Sequence, residues 1–250
     1  MSGAATSRAP GPRRALITGA SGDIGAAICR RLAETGLELI VHSHRAGERA
    51  QALVEQLRAR GARAEAVSFD ITDAAAARAV LEPLVAERPI QVLVNSAGIH
   101  EDAVLAGMSR EQWHRVIDVS LHGFFNVTQP LLLPMIHSRW GRIVSLSSVA
   151  ALIGNRGQVN YAAAKGALIS ATRALALEVA TRGITVNAVA PGIIESTMTQ
   201  PLFNAEAIAR LVPMQRAGNV ADVAAVVAFL VAESAGYITG QVVSVNGGMT

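Results

Sequence analysis

Ala15-Leu-Ile-Thr18-Gly-Ala-Ser-Gly-Asp-Ile-Gly25 decides the fold of this 250-residue chain. An apolar run short enough for one buried strand enters a turn with glycine at 19, 22 and 25, and an amphipathic segment follows to about Thr35. Strand, glycine-rich turn and helix start in that order gather backbone amides and the positive end of a helix around one point, which suits a phosphate. By itself such a turn serves equally as an ordinary tight connection. Its place after the first strand of the chain strengthens the phosphate reading.

The rest of the chain alternates in the same way. Apolar runs at 37–41, 64–69, 90–94, 142–147, 184–189 and 241–245 read as strands, and segments at 46–60, 72–87, 109–135, 161–181 and 221–233 read as helices. Pro130 and Pro134 are candidate breaks in the third of these helices. Residues 199–211 read as a mobile segment with helical spacing. The alternation predicts an α/β chain: a single-domain Rossmann fold with a doubly wound, parallel, seven-stranded sheet over 13–250. Residues 1–12, rich in Ser, Ala, Gly and Pro, predict a disordered tail rather than a signal peptide.

The ends of these strands carry polar residues. No acid stands between Ile40 and Gly47, while His44 and Arg45 do, which suits a ribose 2′-phosphate better than a 2′-hydroxyl. Arg45 serves equally as the solvated start of the next helix. Asp70 closes the third strand, either against an adenine or as the cap of the segment after it. The small residues Asn95-Ser-Ala-Gly98 let a ligand approach the backbone after the fourth strand.

Ser148 ends the fifth strand, and Tyr161-Ala-Ala-Ala-Lys165 opens the helix beyond it. Four residues apart on a helix, Tyr161 and Lys165 share a face. An ammonium there would lower the tyrosine pKa from about 10 and make the phenol a usable acid or base. Ser148 could hold a carbonyl oxygen while Tyr161 protonates it. Tyr-x-x-x-Lys also arises by chance on helices, and serines often end strands for local reasons.

Composition limits the alternatives. With 51% hydrophobic residues and 4% aromatic ones, a large aliphatic core is expected, as buried parallel strands require. A net charge of +3, dispersed along the chain, gives no case for nucleic acid. No apolar run reaches transmembrane length, so no membrane partner and a cytoplasmic location are expected. The lone cysteine, Cys29, reads as a buried small hydrophobe, and no metal site is expected.

Together these landmarks resemble the short-chain dehydrogenase/reductases, and within them the β-ketoacyl-acyl-carrier-protein reductases. The resemblance spans about residues 13–249 and includes Pro191-Gly192 and the ending 237–249. The segment 154–161 looks most like reductases of fatty-acid-type and aryl-polyene biosynthesis. The resemblance implies NADPH-dependent reduction of a 3-oxoacyl thioester on acyl carrier protein by a homotetramer. Tyr161 would donate the proton, Lys165 would lower its pKa and hold the nicotinamide ribose, and Ser148 would hold the substrate oxygen. Gly19, Ser21, Asp23, Ile24, His44, Arg45, Asp70, Ile71, Asn95, Ala97, Gly98, Pro191, Ile194 and Ser196 would contact the cofactor. Arg139 and Arg182 would dock the acidic carrier near the site entrance. The chain departs from the family pattern at Asp23, usually glycine, at Ser96, usually asparagine, and at Ser120, where the family has a fourth catalytic residue, an asparagine. A free alcohol, sugar or steroid dehydrogenase is the alternative within the fold. A catalytically weak subunit of a mixed oligomer is the alternative of another class, motivated by Asp23 and Ser120.

Overall fold

A computed structural model describes residues 11–45, 47–196 and 205–250. Most of the expected tail, and the first part of the segment expected to be mobile, lie outside them. One sheet of seven parallel strands runs through the described residues: β1 (Arg14–Ile17), β2 (Glu38–Ser43), β3 (Ala64–Ser68), β4 (Val92–Asn95), β5 (Gly141–Leu146), β6 (Ile184–Pro191) and β7 (Val242–Val245). Their order is β3-β2-β1-β4-β5-β6-β7, so the winding reverses between β1 and β4. A crevice opens at such a reversal, beyond the carboxyl ends of the strands.

The helices are α1 (Asp23–Ala33), α2 (Glu48–Ala59), α3 (Ala74–Glu87), α4 (Arg110–Ile117), α5 (Gly123–Ser138), α6 (Ala150–Ile153), α7 (Val159–Val179), α8 (Ala205–Leu211) and α9 (Val220–Val231). Alternate strand residues feed two cores. Ile17, Val41 and Val94 pack with Ile28 and Leu32 of α1, Leu53 of α2 and Val227 of α9. Leu16, Ile40 and Leu93 pack with Leu81 of α3, Leu131 of α5 and Val179 of α7. Burial on both faces explains why the strands read as unbroken apolar runs. Cys29 is fully buried in the first core, and burial pushes its thiol up to about 12. Among the described residues no helix is long and apolar enough to cross a membrane.

The helix expected over 109–135 is divided, but not at its prolines. Pro130 and Pro134 both lie inside α5, whose residues Val127, Leu131 and Met135 remain fully buried. Packing of that i, i+4, i+8 face outweighs the lost amide donors. The break comes earlier, at a π-helical turn over Asp118–His122. Ser120 is buried in this turn, and its Oγ has no hydrogen-bond partner. It makes no bond to a carbonyl one turn back. A short helix, α6, also stands where the sequence read a loop.

At the amino edge of the sheet, Arg14 is 1% exposed. Its guanidinium donates to the Leu84 carbonyl at 2.7 Å and the Arg88 carbonyl at 3.0 Å, closing the carboxyl end of α3, and meets Glu65 at 3.1 Å. A cation suits a helix carboxyl terminus, where carbonyls lack partners. Arg14→Met should therefore lower unfolding free energy by about 1.5–3 kcal/mol, the range for hydrogen bonds to a charged group. Urea denaturation checks this, and an unchanged midpoint would contradict it.

Candidate active site

The glycine turn is built for close approach. Gly19 has a left-handed backbone, φ 63°, and a Cβ on it would stand 2.8 Å from the Cα of Ala97. A Cβ on Gly25 would stand 2.5 Å from the Gly19 oxygen. Thr18 joins this turn to the β4 loop: its Oγ1 accepts from the amides of Ser96, at 3.0 Å, and Ala97, at 3.1 Å. Gly22 is the N-cap of α1 and supplies no side-chain cap, leaving the first-turn amides for another acceptor. Ser21 and Ile24 are half-buried beside them. Asp23, half-buried, opens the helix with an ordinary negative φ that needs no glycine.

His44 and Arg45 are exposed just beyond β2. Arg45 is not the helix start, because α2 begins at Glu48 with Gly47 as its N-cap. Nor does Asp70 cap α3. That role belongs to Asp73, whose carboxylate accepts from the amides of Ala75 and Ala76. Asp70 Oδ1 instead accepts from the Thr72 amide at 2.9 Å and hydroxyl at 2.8 Å, and Oδ2 lies 3.8 Å from His44 Nε2. Burial would raise its pKa, but the Thr72 bonds and the nearby histidines outweigh burial and hold it below the usual value. Ile71 is buried, and its carbonyl accepts from Asn126 at 2.9 Å.

Ser148 stands beyond the carboxyl end of β5, and Tyr161 and Lys165 lie in the first two turns of α7. Lys165 is 3% exposed, with Nζ donating to the Leu146 carbonyl at 2.8 Å. Nζ lies 5.7 Å from the centre of the Tyr161 ring. A Cβ on Gly98 would stand 3.0 Å from Nζ and 3.9 Å from Ser120 Oγ, so glycine is what admits the ammonium. Asn160 fixes the start of α7: its Nδ2 donates to the carbonyls of Glu101, at 3.0 Å, and Gln112, at 3.2 Å.

The electrostatics differ from the expectation that Lys165 lowers the tyrosine pKa. Burial pushes the Tyr161 phenol above its ordinary value, a hydrogen bond with Ser148 works against that, and the Asp102 charge adds to it. Burial is the largest cause of that rise. It also pushes Lys165 itself down to about 8. Both groups lie in low dielectric, so each is moved toward its neutral form.

Asn95 is buried, with Nδ2 3.4 Å from Thr128 Oγ1. Pro191 ends β6, and its carbonyl accepts from the Val149 amide at 2.8 Å. Ile194 is 3% exposed and bridges to Gly218, while Ser196 is half-buried at the last described position before residue 205. All these residues border the carboxyl edge of the sheet. Arg139 and Arg182 do not. They stand on turns that precede β5 and β6, and Arg139 Nη2 donates to the carbonyl of Thr181, the residue before Arg182, at 3.2 Å. The length of α7 separates them from Tyr161, about 30 Å at 1.5 Å per residue. Within one chain they therefore do not flank the entrance, contrary to expectation.

A family model described as short chain dehydrogenase matches residues 13–207. The chain belongs to the short chain dehydrogenase family. Three relatives, each named a 3-oxoacyl-[acyl-carrier-protein] reductase, are similar over nearly their whole length. That of Staphylococcus aureus strain N315 is 43% identical over 95% of this chain and 98% of its own. Those of Aggregatibacter actinomycetemcomitans and Escherichia coli K12 are each 42% identical over 94% of this chain, and over 98% and 96% of their own. Membership in this dehydrogenase family makes the chain an oxidoreductase and implies a nicotinamide cofactor. The residues present fit one: the α1 amides are uncapped at Gly22, and no Cβ fills the approach at Gly19.

The ammonium of Lys165 is buried at an energetic cost that should be measurable. Because the folded-state pKa lies below the ordinary 10.5, the penalty is full below about pH 8 and fades as pH rises toward 10.5. Lys165→Met should thus raise the unfolding midpoint at pH 7, and the advantage should shrink through that window. A lower midpoint for the variant at every pH would contradict this.

Proposed function

We propose that this chain reduces a 3-oxoacyl thioester on acyl carrier protein to the 3-hydroxyacyl form with NADPH, in fatty-acid-like or aryl-polyene biosynthesis. The supporting observation is the convergence of Ser148, Tyr161 and Lys165 at the carboxyl edge of the sheet, one strand from the glycine turn. The family and its similarly named reductases agree with it. When bound, the cofactor supplies a hydride to the carbonyl carbon. The Ser148 hydroxyl donates a hydrogen bond to the ketone oxygen and orients it. Tyr161, kept protonated by burial, gives its phenolic proton to that oxygen as negative charge builds there. Lys165 then stands beside the phenolate with a positive charge. Ser120, buried near Lys165 on the same side of Gly98, lies where a path for re-protonation from Lys165 toward solvent would start.

Cofactor contacts follow the same order. Gly19, Ser21, Asp23 and Ile24 meet the pyrophosphate, His44 and Arg45 the 2′-phosphate, Asp70 and Ile71 the adenine. Asn95, Ala97, Gly98, Pro191, Ile194 and Ser196 line the nicotinamide half. Residues 13–250 act as one catalytic domain in the cytoplasm. Tyr161→Phe should reduce kcat for acetoacetyl thioester by at least about a hundredfold while the variant still binds NADPH, and the parent should show a higher kcat/KM with NADPH than with NADH. Near-parental turnover by the variant removes Tyr161 from this role, and a preference for NADH removes the 2′-phosphate reading.

A homotetramer is the second part of the proposal. Phe125 and Leu133 of α5 and Leu177 of α7 are 60%, 63% and 84% exposed. Phe229 of α9 and Tyr237, shortly before the edge strand β7, are exposed as well. Two separate apolar faces, each used about its own two-fold axis, give four copies. A carrier docked on Arg139 and Arg182 would then serve the site of a neighbouring copy rather than its own. Light scattering should give four times the chain mass at micromolar concentration, and a monomeric mass would reject the assembly.

A further inference from the structure

His42, at the carboxyl end of β2, is 1% exposed, and the proton chemistry and phosphate contacts above make no use of it. A ring buried so completely is stable there only with its polar atoms bonded. The Gly19 amide donates to Nδ1 at 3.3 Å, and Nε2 lies 3.0 Å from the Phe69 carbonyl. An amide donates and a carbonyl accepts, so these partners select the neutral ring with its proton on Nε2. Burial favours the same state, holding the pKa down at about 4. The Phe69 carbonyl opposes this, His44 adds to it, and Asp70 opposes it. The ring also packs on Phe69, with centroids 4.2 Å apart, and the His42 carbonyl accepts from Ala20, the next amide of the turn.

These contacts join two walls of one crevice. Gly19 is the left-handed residue of the glycine turn, and Phe69 leads directly into Asp70 and Ile71. We propose that His42 is a positioning residue for the dinucleotide, its neutral imidazole aiming the Gly19 turn and tying it to the Phe69–Ile71 strand end. Pyrophosphate and adenine are then met by surfaces already set at a fixed separation. This rests on the cofactor reading above. Asparagine places an amide oxygen near the position of Nδ1 and so keeps an acceptor for Gly19, although it does not reach Phe69. Leucine keeps bulk and supplies neither bond.

The test is calorimetric titration of NADPH into the full chain, its His42→Asn variant and its His42→Leu variant, with an unfolding midpoint for each. Leucine should weaken NADPH by at least about tenfold and asparagine should restore it to within about threefold of the parent, although both variants lose midpoint. In turnover, the loss should fall on KM for NADPH rather than on kcat. A leucine variant that binds like the parent, or affinities that fall in step with the midpoints, would overturn the proposal. Should the leucine variant not fold, nitrogen NMR of the parent decides: a proton on Nε2 at neutral pH is expected, and one on Nδ1 overturns the clamp. A parent that binds neither NADPH nor NADH overturns the cofactor reading, and the clamp's purpose with it. A parent that binds NADPH beside an equally competent leucine variant overturns the clamp alone.

Discussion

Two backbones touch at the point where the sheet reverses its winding. The Gly19 turn and the loop after β4 approach so closely that a side chain on Gly19 would collide with the backbone of Ala97. The Thr18 hydroxyl, accepting from two amides of that loop, holds the approach. Because β1 and β4 are neighbours in the sheet, this one contact brings the uncapped end of α1 beside the strand ends that carry Asn95 and Ser148. A crevice with amide donors on one side and hydroxyl, phenol and ammonium on the other follows from it. Moving the turn outward by the width of a methyl group would separate the two chemistries.

The second half of the site trades stability for reactivity. Lys165 is anchored on a main-chain carbonyl, within a wall that includes Gly98, and among the described residues no ion pair joins its ammonium to a carboxylate. A buried cation without a counter-ion is unfavourable. Tyr161 is likewise held in its uncharged state by burial. Such an arrangement favours whatever event lets both groups become charged together, because phenolate and ammonium then compensate each other. The surroundings of α7 hold the pair in place for that: Asn160 pins its first turn to two other segments.

Much of this was legible in the sequence, for a physical reason. Strands buried on both faces leave uninterrupted apolar runs, and glycines at a close approach leave a fixed spacing, so the seven strands and the turn could be read directly. What could not be read depends on partners far along the chain. His42 and Arg14 are polar residues in apolar strands, and their meaning lies in the carbonyls of Phe69, Leu84 and Arg88. Arg139 and Arg182 sit away from the site within one chain, because the direction of α7 carries its end to the opposite edge. Pro130 and Pro134 lie inside a regular helix, and the irregular turn falls at Asp118–His122. A proline is a visible breaker, whereas a π turn has no side-chain signature.

That π turn also absorbs an extra residue without disturbing the helices on either side. It holds one residue more than a regular helix would need between α4 and α5. Five residues in the wider turn sweep about the same angle as four in an α-helix, so Val116 stays fully buried and the Gln112 carbonyl still meets Asn160. Deleting a single residue from Asp118–His122 would restore a continuous ladder and leave both helices in phase. What it would remove is the widened turn that sets the Ser120 hydroxyl beside Gly98. The surplus residue thus serves the wall of the crevice rather than the scaffold around it.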